Sequence, residues 1–292
     1  MFELIQVTEK VFYIQSPAKI GLVLTGENEV CLIDSGNDKD AGKKIRKILN
    51  ARGWTLKAIY NTHSHADHIG GNRFLQAQTG CRIYAPAIEC DFTRHPVLEP
   101  IGLYGGNPPV ELRHKFLMAQ ESEVNPLTRE VLPEGWEMIP LPGHSFDMAG
   151  FRVPGDIVFL ADCLSSRATL DKYQIGYLHD VEAYLDTLEK VCFMKAALFI
   201  PSHADPTEDI APLARMNMEK LGSTLDKILE ICREPGTSDH ILKELFDAYG
   251  LVINFEQYAL IGSTLRSCLT YLKGKGLLEA VFDRNMLLWK RV

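Results

Sequence analysis

Three histidines and an aspartate crowd into one short segment, because residues 62–68 read Thr-His-Ser-His-Ala-Asp-His. The segment follows Lys57-Ala-Ile-Tyr-Asn61, a run typical of a strand, and it leads into Ile69-Gly-Gly-Asn72. Placing three imidazoles and a carboxylate in one turn costs little free energy only if a positive charge lies among them. Neutral imidazole nitrogen and carboxylate oxygen are good ligands for zinc-like ions, so the segment predicts a bound divalent cation.

The spacing within this segment indicates two neighbouring metal ions. His63 and His65 lie two residues apart, so in an extended turn their side chains point to the same side. Asp67 and His68 are adjacent and cannot both reach the same point as the first pair. We therefore expect His63 and His65 to bind one ion, and Asp67 and His68 to bind the other.

Further candidate ligands lie downstream, each where a predicted strand gives way to a loop. His144 lies in Leu141-Pro-Gly-His-Ser145, Asp162 ends the apolar run 156–162, and His203 follows the run 197–200. Strand ends on a rigid scaffold commonly carry site residues. Taken singly, each of these residues is also compatible with a capping, core or turn role.

The H-x-H-x-D-H string, followed by a downstream His, Asp and His, resembles the hallmark of the metallo-β-lactamase fold superfamily. The resemblance covers roughly residues 1–210. It implies that His63, His65 and His144 bind the first metal, that Asp67, His68 and His203 bind the second, and that Asp162 bridges them. Asp34, at the end of Cys31-Leu-Ile-Asp34, matches an early strand-end aspartate of the family, which is expected to orient the ligand loop through a hydrogen bond.

The activity that this resemblance implies is that of a dinuclear-metal hydrolase. A metal-bound hydroxide would attack a thioester or a related ester, with Asp67 orienting the hydroxide and moving its proton. Two divalent metal ions are implied, zinc foremost, with iron and manganese as alternatives. The full ligand pattern is similar to that of hydroxyacylglutathione hydrolases (glyoxalase II). The β-lactamases proper lack a bridging aspartate at the position of Asp162. The related lactonases have a tyrosine where this chain has Ser165.

Three alternatives to a thioester hydrolase remain at this stage. The first is a metal-dependent endoribonuclease, because a related branch joins this catalytic core to a winged-helix-like tail. The second is a mononuclear iron persulfide dioxygenase, whose relatives carry similar motifs. The third is a non-catalytic, metal-loaded binding or regulatory module that acts through its C-terminal segment.

The composition of the chain narrows its partners and location. The net charge of −7 over 292 residues disfavours a general nucleic-acid or anionic-membrane binder, so a small-molecule ester or thioester is the expected partner. No apolar run is long enough to span a bilayer, and the start Met-Phe-Glu-Leu-Ile-Gln lacks a signal-peptide pattern, which predicts a cytoplasmic protein. The 7 scattered cysteines form no C-x-x-C pair and are expected to be reduced and mostly buried, with Cys163 packing in the core.

The elements that must position these residues follow an α/β pattern. Residues 2–7, 11–15, 20–25 and 30–33 alternate apolar and polar side chains, which predicts antiparallel strands. A helix is predicted over 38–52, and single helices then alternate with strands up to residue 200. This order fits an α/β fold of the family type, a four-layer αββα sandwich.

Two stretches of the chain differ from this pattern. Residues 86–135 are rich in Pro and Gly, which predicts a lid-like insertion; His95 and His114 fall there and are expected to have surface or packing roles. Residues 211–292 show helical periodicity in three segments and then two strands around Asp283-Arg-Asn285, which predicts a mostly helical, winged-helix-like C-terminal domain ending in a β-hairpin. This domain is expected to close the cleft or to form a homodimer; nucleic-acid binding is the less favoured role.

Overall fold

The structure is a computed structural model that describes residues 2–292. The strands are β1 (Glu3–Gln6), β2 (Val11–Gln15), β3 (Ile20–Leu24), β4 (Glu29–Ile33), β5 (Thr55–Tyr60), β6 (Arg82–Ala85), β7 (Asn125–Pro126), β8 (Glu137–Pro140), β9 (Ala149–Val153), β10 (Ile157–Phe159), β11 (Leu198–Ile200), β12 (Leu278–Asp283) and β13 (Met286–Arg291). The α-helices are α1 (Lys39–Arg52), α2 (Ala66–Ile69), α3 (Asn72–Thr79), α4 (Ala87–Arg94), α5 (Leu98–Tyr104), α6 (Arg167–Tyr173), α7 (Val181–Cys192), α8 (Ala211–Ile231), α9 (Ser238–Tyr249) and α10 (Phe255–Gly274).

The first sheet has the strand order β1-β2-β3-β4-β5-β6-β7. The first four strands are antiparallel, as predicted, and β4 to β7 are parallel because helical connections, α1, α3 and α4 among them, carry the chain back between successive strands. Helix α1 begins where the Asp38 side chain accepts hydrogen bonds from the backbone N–H groups of Asp40 and Ala41, and it ends at Gly53, whose φ of 69° suits glycine.

The second sheet has the order β11-β10-β9-β8 and packs face to face against the first. Side chains along β4 show how the layers form. Val30 and Leu32 pack with the helix residues Ile45 and Leu49, whereas the alternate side chain Ile33 packs between the sheets. Because both faces of the strand are covered, its apolar run is nearly continuous.

The outer face of the second sheet is covered by α7 and by the C-terminal helices. One apolar cluster contains residues from β10, α7, α8, α9 and α10, and the fully buried Leu188, Ile228 and Leu269 are examples. Helices therefore cover the outer face of each sheet, which confirms the predicted α/β four-layer αββα sandwich. The β12–β13 hairpin turns at Arg284 and Asn285, both with positive φ, so the predicted order of three helices and a hairpin is present.

Residues 86–135 contain more regular structure than their Pro and Gly content indicated. They form α4, α5 and the short edge strand β7, and α5 packs against α10. The Arg266 guanidinium donates a hydrogen bond of 3.1 Å to the backbone carbonyl of Leu103, which joins the two elements. The structure thus places this stretch against the C-terminal helices.

Two further expectations concern cysteines and membranes. All of the cysteines are buried and carry free thiols in the described chain, and Cys163 lies in the apolar cluster under the second sheet, as predicted. Burial raises the pKa of the Cys163 thiol, which favours its neutral form. Within residues 2–292, none of the helices combines the length and the apolar character needed to cross a bilayer.

Candidate metal centre

The candidate ligands lie at one edge of the sandwich because they all follow strand ends. Asp34 comes directly after β4, and the segment 61–68 comes directly after the parallel neighbour β5. His144 follows β8, Asp162 follows β10, and His203 follows β11, which runs parallel to β10. The carboxyl ends of parallel strands meet at the same edge of a sheet, so these residues approach one another.

One group of ligand atoms, here called the histidine cluster, consists of His63, His65 and His144. The Nδ1 atom of His65 lies 3.0 Å from the Nε2 atom of His63 and 3.0 Å from the Nε2 atom of His144. The three nitrogens lie within 4.8 Å of one another, a spacing that one ion bound to all three can satisfy.

A second group, here called the mixed cluster, consists of Asp67, His68, Asp162 and His203. Asp162 Oδ1 lies 3.0 Å from His68 Nε2, and Asp162 Oδ2 lies 3.0 Å from His203 Nε2. Asp67 Oδ2 lies 3.3 Å from His203 Nε2. Asp162 Oδ2 also lies 3.6 Å from His144 Nε2, so this carboxylate contacts both clusters.

Two buried atoms in the mixed cluster test whether a cation fits there. His68 Nε2 and Asp162 Oδ1 are 3.0 Å apart, yet within the described chain neither has a hydrogen-bond partner of acceptable geometry. Buried polar atoms are rarely left without a partner. A metal ion placed between the two would satisfy both at once, so the donor set fits a divalent cation.

The protonation of the histidine cluster also suits metal binding. Burial lowers the pKa of His63 well below its usual range, and the adjacent His68 and His65 lower it further. Burial lowers the pKa of His65 to about 4 and, with the help of His65, the pKa of His144 to about 4. Neutral imidazoles have a free lone pair, which is the form that binds metals.

In the mixed cluster the carboxylates outweigh burial, so the histidine pKa is raised instead of lowered. Burial opposes protonation of His203, but Asp162 and Asp67 outweigh it and raise its pKa to about 10. Likewise, burial raises the pKa of Asp162, but His203 and His68 outweigh burial and hold it well below the usual range. Without a metal ion, protons on the imidazoles therefore balance the two carboxylates.

In most of the candidate ligand histidines, the ring nitrogen that points away from the cluster is held by a neighbouring acceptor. His68 Nδ1 donates to Asp34 Oδ2 at 2.7 Å, and His63 Nδ1 lies 3.0 Å from the Thr62 hydroxyl, which itself donates to Asp34. The corresponding atoms of His144 and His203 donate to backbone carbonyls at 3.1 and 3.0 Å. These contacts fix each Nε2 toward the cluster centre, and Asp34 has the orienting position that the sequence predicted.

Two glutamates of the inserted stretch, the buried Glu89 and the partly buried Glu99, were not predicted as part of the site. Glu99 Oε1 lies 3.6 Å from His65 Nε2, and burial raises the pKa of this carboxyl to about 8. Glu89 accepts hydrogen bonds from the Ser64 N–H and hydroxyl at 2.9 and 2.5 Å, from the Ser145 hydroxyl at 2.7 Å and from the Asp147 N–H at 3.1 Å. Glu89 thereby joins the loop of His63 to the loop of His144.

Replacement of Glu89 by Ala is expected to lower the free energy of unfolding by about 3 kcal/mol, because several buried donors lose their charged acceptor together. Urea denaturation of the metal-free and metal-loaded forms would measure this loss. Asp91→Ala is the matched control on the same helix, since Asp91 is mostly exposed and pairs with Arg94; a loss of about 0.5 kcal/mol or less is expected there. Equal losses of unfolding free energy in both variants would contradict the role of Glu89 in joining the two loops.

The C-terminal helices also hold part of the site. The Asn217 side chain on α8 accepts a hydrogen bond of 3.0 Å from the Ser165 N–H and donates one of 2.9 Å to the Ser165 carbonyl. Ser165 lies three residues after Asp162, so α8 fixes the loop that carries this candidate ligand. His95 and His114 lie outside both clusters, as expected, and His114 Nε2 instead lies 3.7 Å from Glu256.

The comparison with known proteins also singles out the part of the chain that contains the two clusters. The family described as "Metallo-beta-lactamase superfamily" matches residues 19–203, a range that contains both clusters. A hydroxyacylglutathione hydrolase of Cereibacter sphaeroides is 31% identical over 140 residues, which are 48% of this chain and 44% of that protein. The chain spans less than half the length of the curated relatives that it matches.

Two solved structures are similar over nearly the whole chain. A beta-lactamase domain protein from Burkholderia ambifaria has a TM-score of 0.76 at 16% identity and covers 99% of this chain and 94% of its own. A metallo-beta-lactamase family protein from Thermus thermophilus has a TM-score of 0.73 at 17% identity and covers 100% and 98%. At this identity the likeness concerns the fold, and it includes the C-terminal helices.

Proposed function

Because the chain belongs to the metallo-beta-lactamase superfamily, we propose that it is a metal-dependent hydrolase that cleaves a thioester or a related ester. The observation that carries this proposal is the convergence of the histidine and mixed clusters, with Asp162 in contact with both. The relatives named hydroxyacylglutathione hydrolase support a thioester as the bond that is cleaved.

The proposed ligands are His63, His65 and His144 for one ion and Asp67, His68 and His203 for the other, with Asp162 shared. Zinc is the metal we propose, because imidazole nitrogen with a few carboxylates suits it, and iron or manganese are the alternatives. Two divalent ions bound there would lower the pKa of a coordinated water and polarise the acyl carbonyl.

The reaction that follows is hydrolysis of the acyl–sulfur bond. The oxygen of a water molecule bonds to the acyl carbon, the carbon–sulfur bond breaks, and the products are a carboxylic acid and a thiol that takes up a proton. Asp67 is the proposed catalytic residue, because its partly exposed carboxylate lines the cavity beside the clusters and can accept the proton of the water. Asp34, Thr62 and Glu89 hold the ligands in place during this step.

The test is metal analysis of the purified protein followed by assays on a thioester, a lactone, a phosphodiester and a persulfide. We expect thioester hydrolysis that a strong chelator reduces to the uncatalysed background and that added zinc restores. Full-rate turnover by metal-stripped protein would overturn the proposal. Salt-sensitive RNA cleavage would favour an endoribonuclease, and oxygen uptake with glutathione persulfide at one iron per chain would favour a dioxygenase. Inactivity of the metal-loaded protein on the whole panel would favour a binding module.

A further inference from the structure

A cavity of about 510 Å³ opens beside the two clusters. His65, Asp67, His144 and Asp162 form the part of its lining that belongs to the candidate metal centre. The volume lies within the range of small-molecule sites, which are roughly 300–1,000 Å³. A molecule bound in this cavity would therefore be in contact with the reacting centre.

The rest of the lining is mainly apolar and comes from distant parts of the chain. Leu117 belongs to the inserted stretch, Leu170 to α6, and Phe246 and Leu260 to the C-terminal helices. Phe116 also lines the cavity while 61% of it is exposed, so it lies where the cavity meets solvent. A hydrocarbon group that binds here removes this apolar surface from water, which makes its binding free energy more favourable.

The charged groups of the cavity do not suit an anionic ligand. Within the described chain, its lining includes neither Lys nor Arg, while Glu99 and Glu256 contribute carboxyl groups. A carboxylate or phosphate at the far end of a bound group would lose its hydration without gaining an ion partner there. The cavity therefore suits an uncharged chain.

A different cleft offers a polar surface at the mixed cluster. It is lined by His203 together with Lys19, Ser202 and Arg167. The Lys19 ammonium is buried and donates to the backbone carbonyl of Ala204, whereas Arg167 is exposed. An amphiphilic substrate would therefore place its apolar end in the cavity and its polar end against this cleft.

We propose that the cavity binds the apolar acyl chain of the substrate and that the enzyme selects uncharged, medium-chain acyl thioesters. This inference rests on the proposed hydrolysis and adds the substrate class to it. Water adds to the acyl carbon at the metal centre, the carbon–sulfur bond breaks, and the fatty acid leaves from the apolar cavity. The protonated thiol leaves past the polar cleft.

The first experiment compares acetyl, butyryl, hexanoyl and octanoyl thioesters of N-acetylcysteamine, which share one uncharged leaving group. Each methylene group that the cavity buries is expected to raise kcat/KM about fourfold until the cavity is filled. The adipoyl thioester is matched to hexanoyl in length but ends in a carboxylate, and its kcat/KM is expected to be at least about 10-fold lower.

The second experiment changes the cavity wall. Phe116→Ala is expected to lower kcat/KM for octanoyl thioester about 10-fold and for acetyl thioester less than about twofold, since only the longer chain reaches Phe116. Phe193→Ala is the matched control, because Phe193 is 74% exposed and lies away from this cavity. Leu260→Trp, which narrows the cavity, is expected to lower activity on octanoyl thioester selectively; thermal denaturation checks that it folds.

These results separate the two proposals. Hydrolysis of thioesters at rates that ignore chain length, or an equal effect of Phe116→Ala and Phe193→Ala, would overturn the substrate class and leave the hydrolase proposal standing. A metal-loaded protein that cleaves the lactone but none of these thioesters would also overturn the substrate class alone, whereas one that cleaves neither the thioesters nor the lactone would overturn the hydrolase proposal itself. A preference for adipoyl over hexanoyl would show that the cavity recognises an anion and would also overturn the substrate class.

Discussion

Asp162→Ala is expected to lower kcat by about 10³-fold or more and to lower the metal content below that of the unchanged protein. Removing a group that merely orients a ligand typically costs roughly 10- to 100-fold, and Asp162 contacts both clusters directly. Its loss removes two candidate ligand oxygens and leaves the imidazoles of His68 and His203 without the carboxylate that faces them. Metal analysis after dialysis and steady-state kinetics would measure the two effects.

Asp162→Asn is the matched control for this prediction. The amide keeps the shape of the side chain and one carbonyl oxygen, but it lacks the negative charge. We expect it to fold like the unchanged protein and to lose metal from the mixed cluster, so loss of metal with normal stability identifies the charge as the cause. An Asp162→Ala variant with unchanged metal content and rate would contradict the bridging role.

Asp67→Asn is expected to lower kcat by about 10²–10⁴-fold, the usual contribution of a general base. It should nevertheless retain metal better than His63→Ala does. Asp67 is partly exposed to the cavity, and the mixed cluster keeps His68, Asp162 and His203 without it. His63 is fully buried, so its truncation both removes a nitrogen from the histidine cluster and leaves a void.

The comparison of these two variants separates catalysis from metal binding. Metal stoichiometry, melting temperature and kcat measured on one preparation of each protein supply the three quantities needed. If Asp67→Asn loses its metal as completely as His63→Ala does, the loss of metal accounts for the loss of rate, and the prediction that the two variants differ is wrong. If Asp67→Asn retains both its metal and the kcat of the unchanged protein, Asp67 has no part in proton transfer.

Much of the fold and the meeting of the candidate ligands could be predicted from the sequence because both depend on local patterns. The segment 62–68 concentrates its ligands within one turn, and His144, Asp162 and His203 each follow a recognisable strand. Parallel strands bring such ends to one edge whatever the loop lengths between them. The metal identity and the roles of the individual ligands stay predictions.

The residues that sequence reasoning missed have no local pattern that marks them. Glu89 lies on the short helix α4, and an acidic side chain on such a helix normally faces solvent. Here it is fully buried between the loops of His63 and His144. Glu99 lies in a stretch whose Pro and Gly favoured a loop. The cavity wall is assembled from Leu117, Leu170 and Leu260, which are far apart in the chain, so only the tertiary structure shows it.

The apolar cluster shared by α7 and the C-terminal helices has a consequence for how relatives of this chain can diverge. Leu188 on α7 and Leu269 on α10 belong to one packed interior, so a change of volume on one side requires a compensating change on the other. Natural recombination that replaced residues 211–292 with the tail of a distant relative would mismatch this interior. A tail exchanged between such proteins is therefore expected to pack stably only when the apolar residues of β10 and α7 that face it are inherited with it.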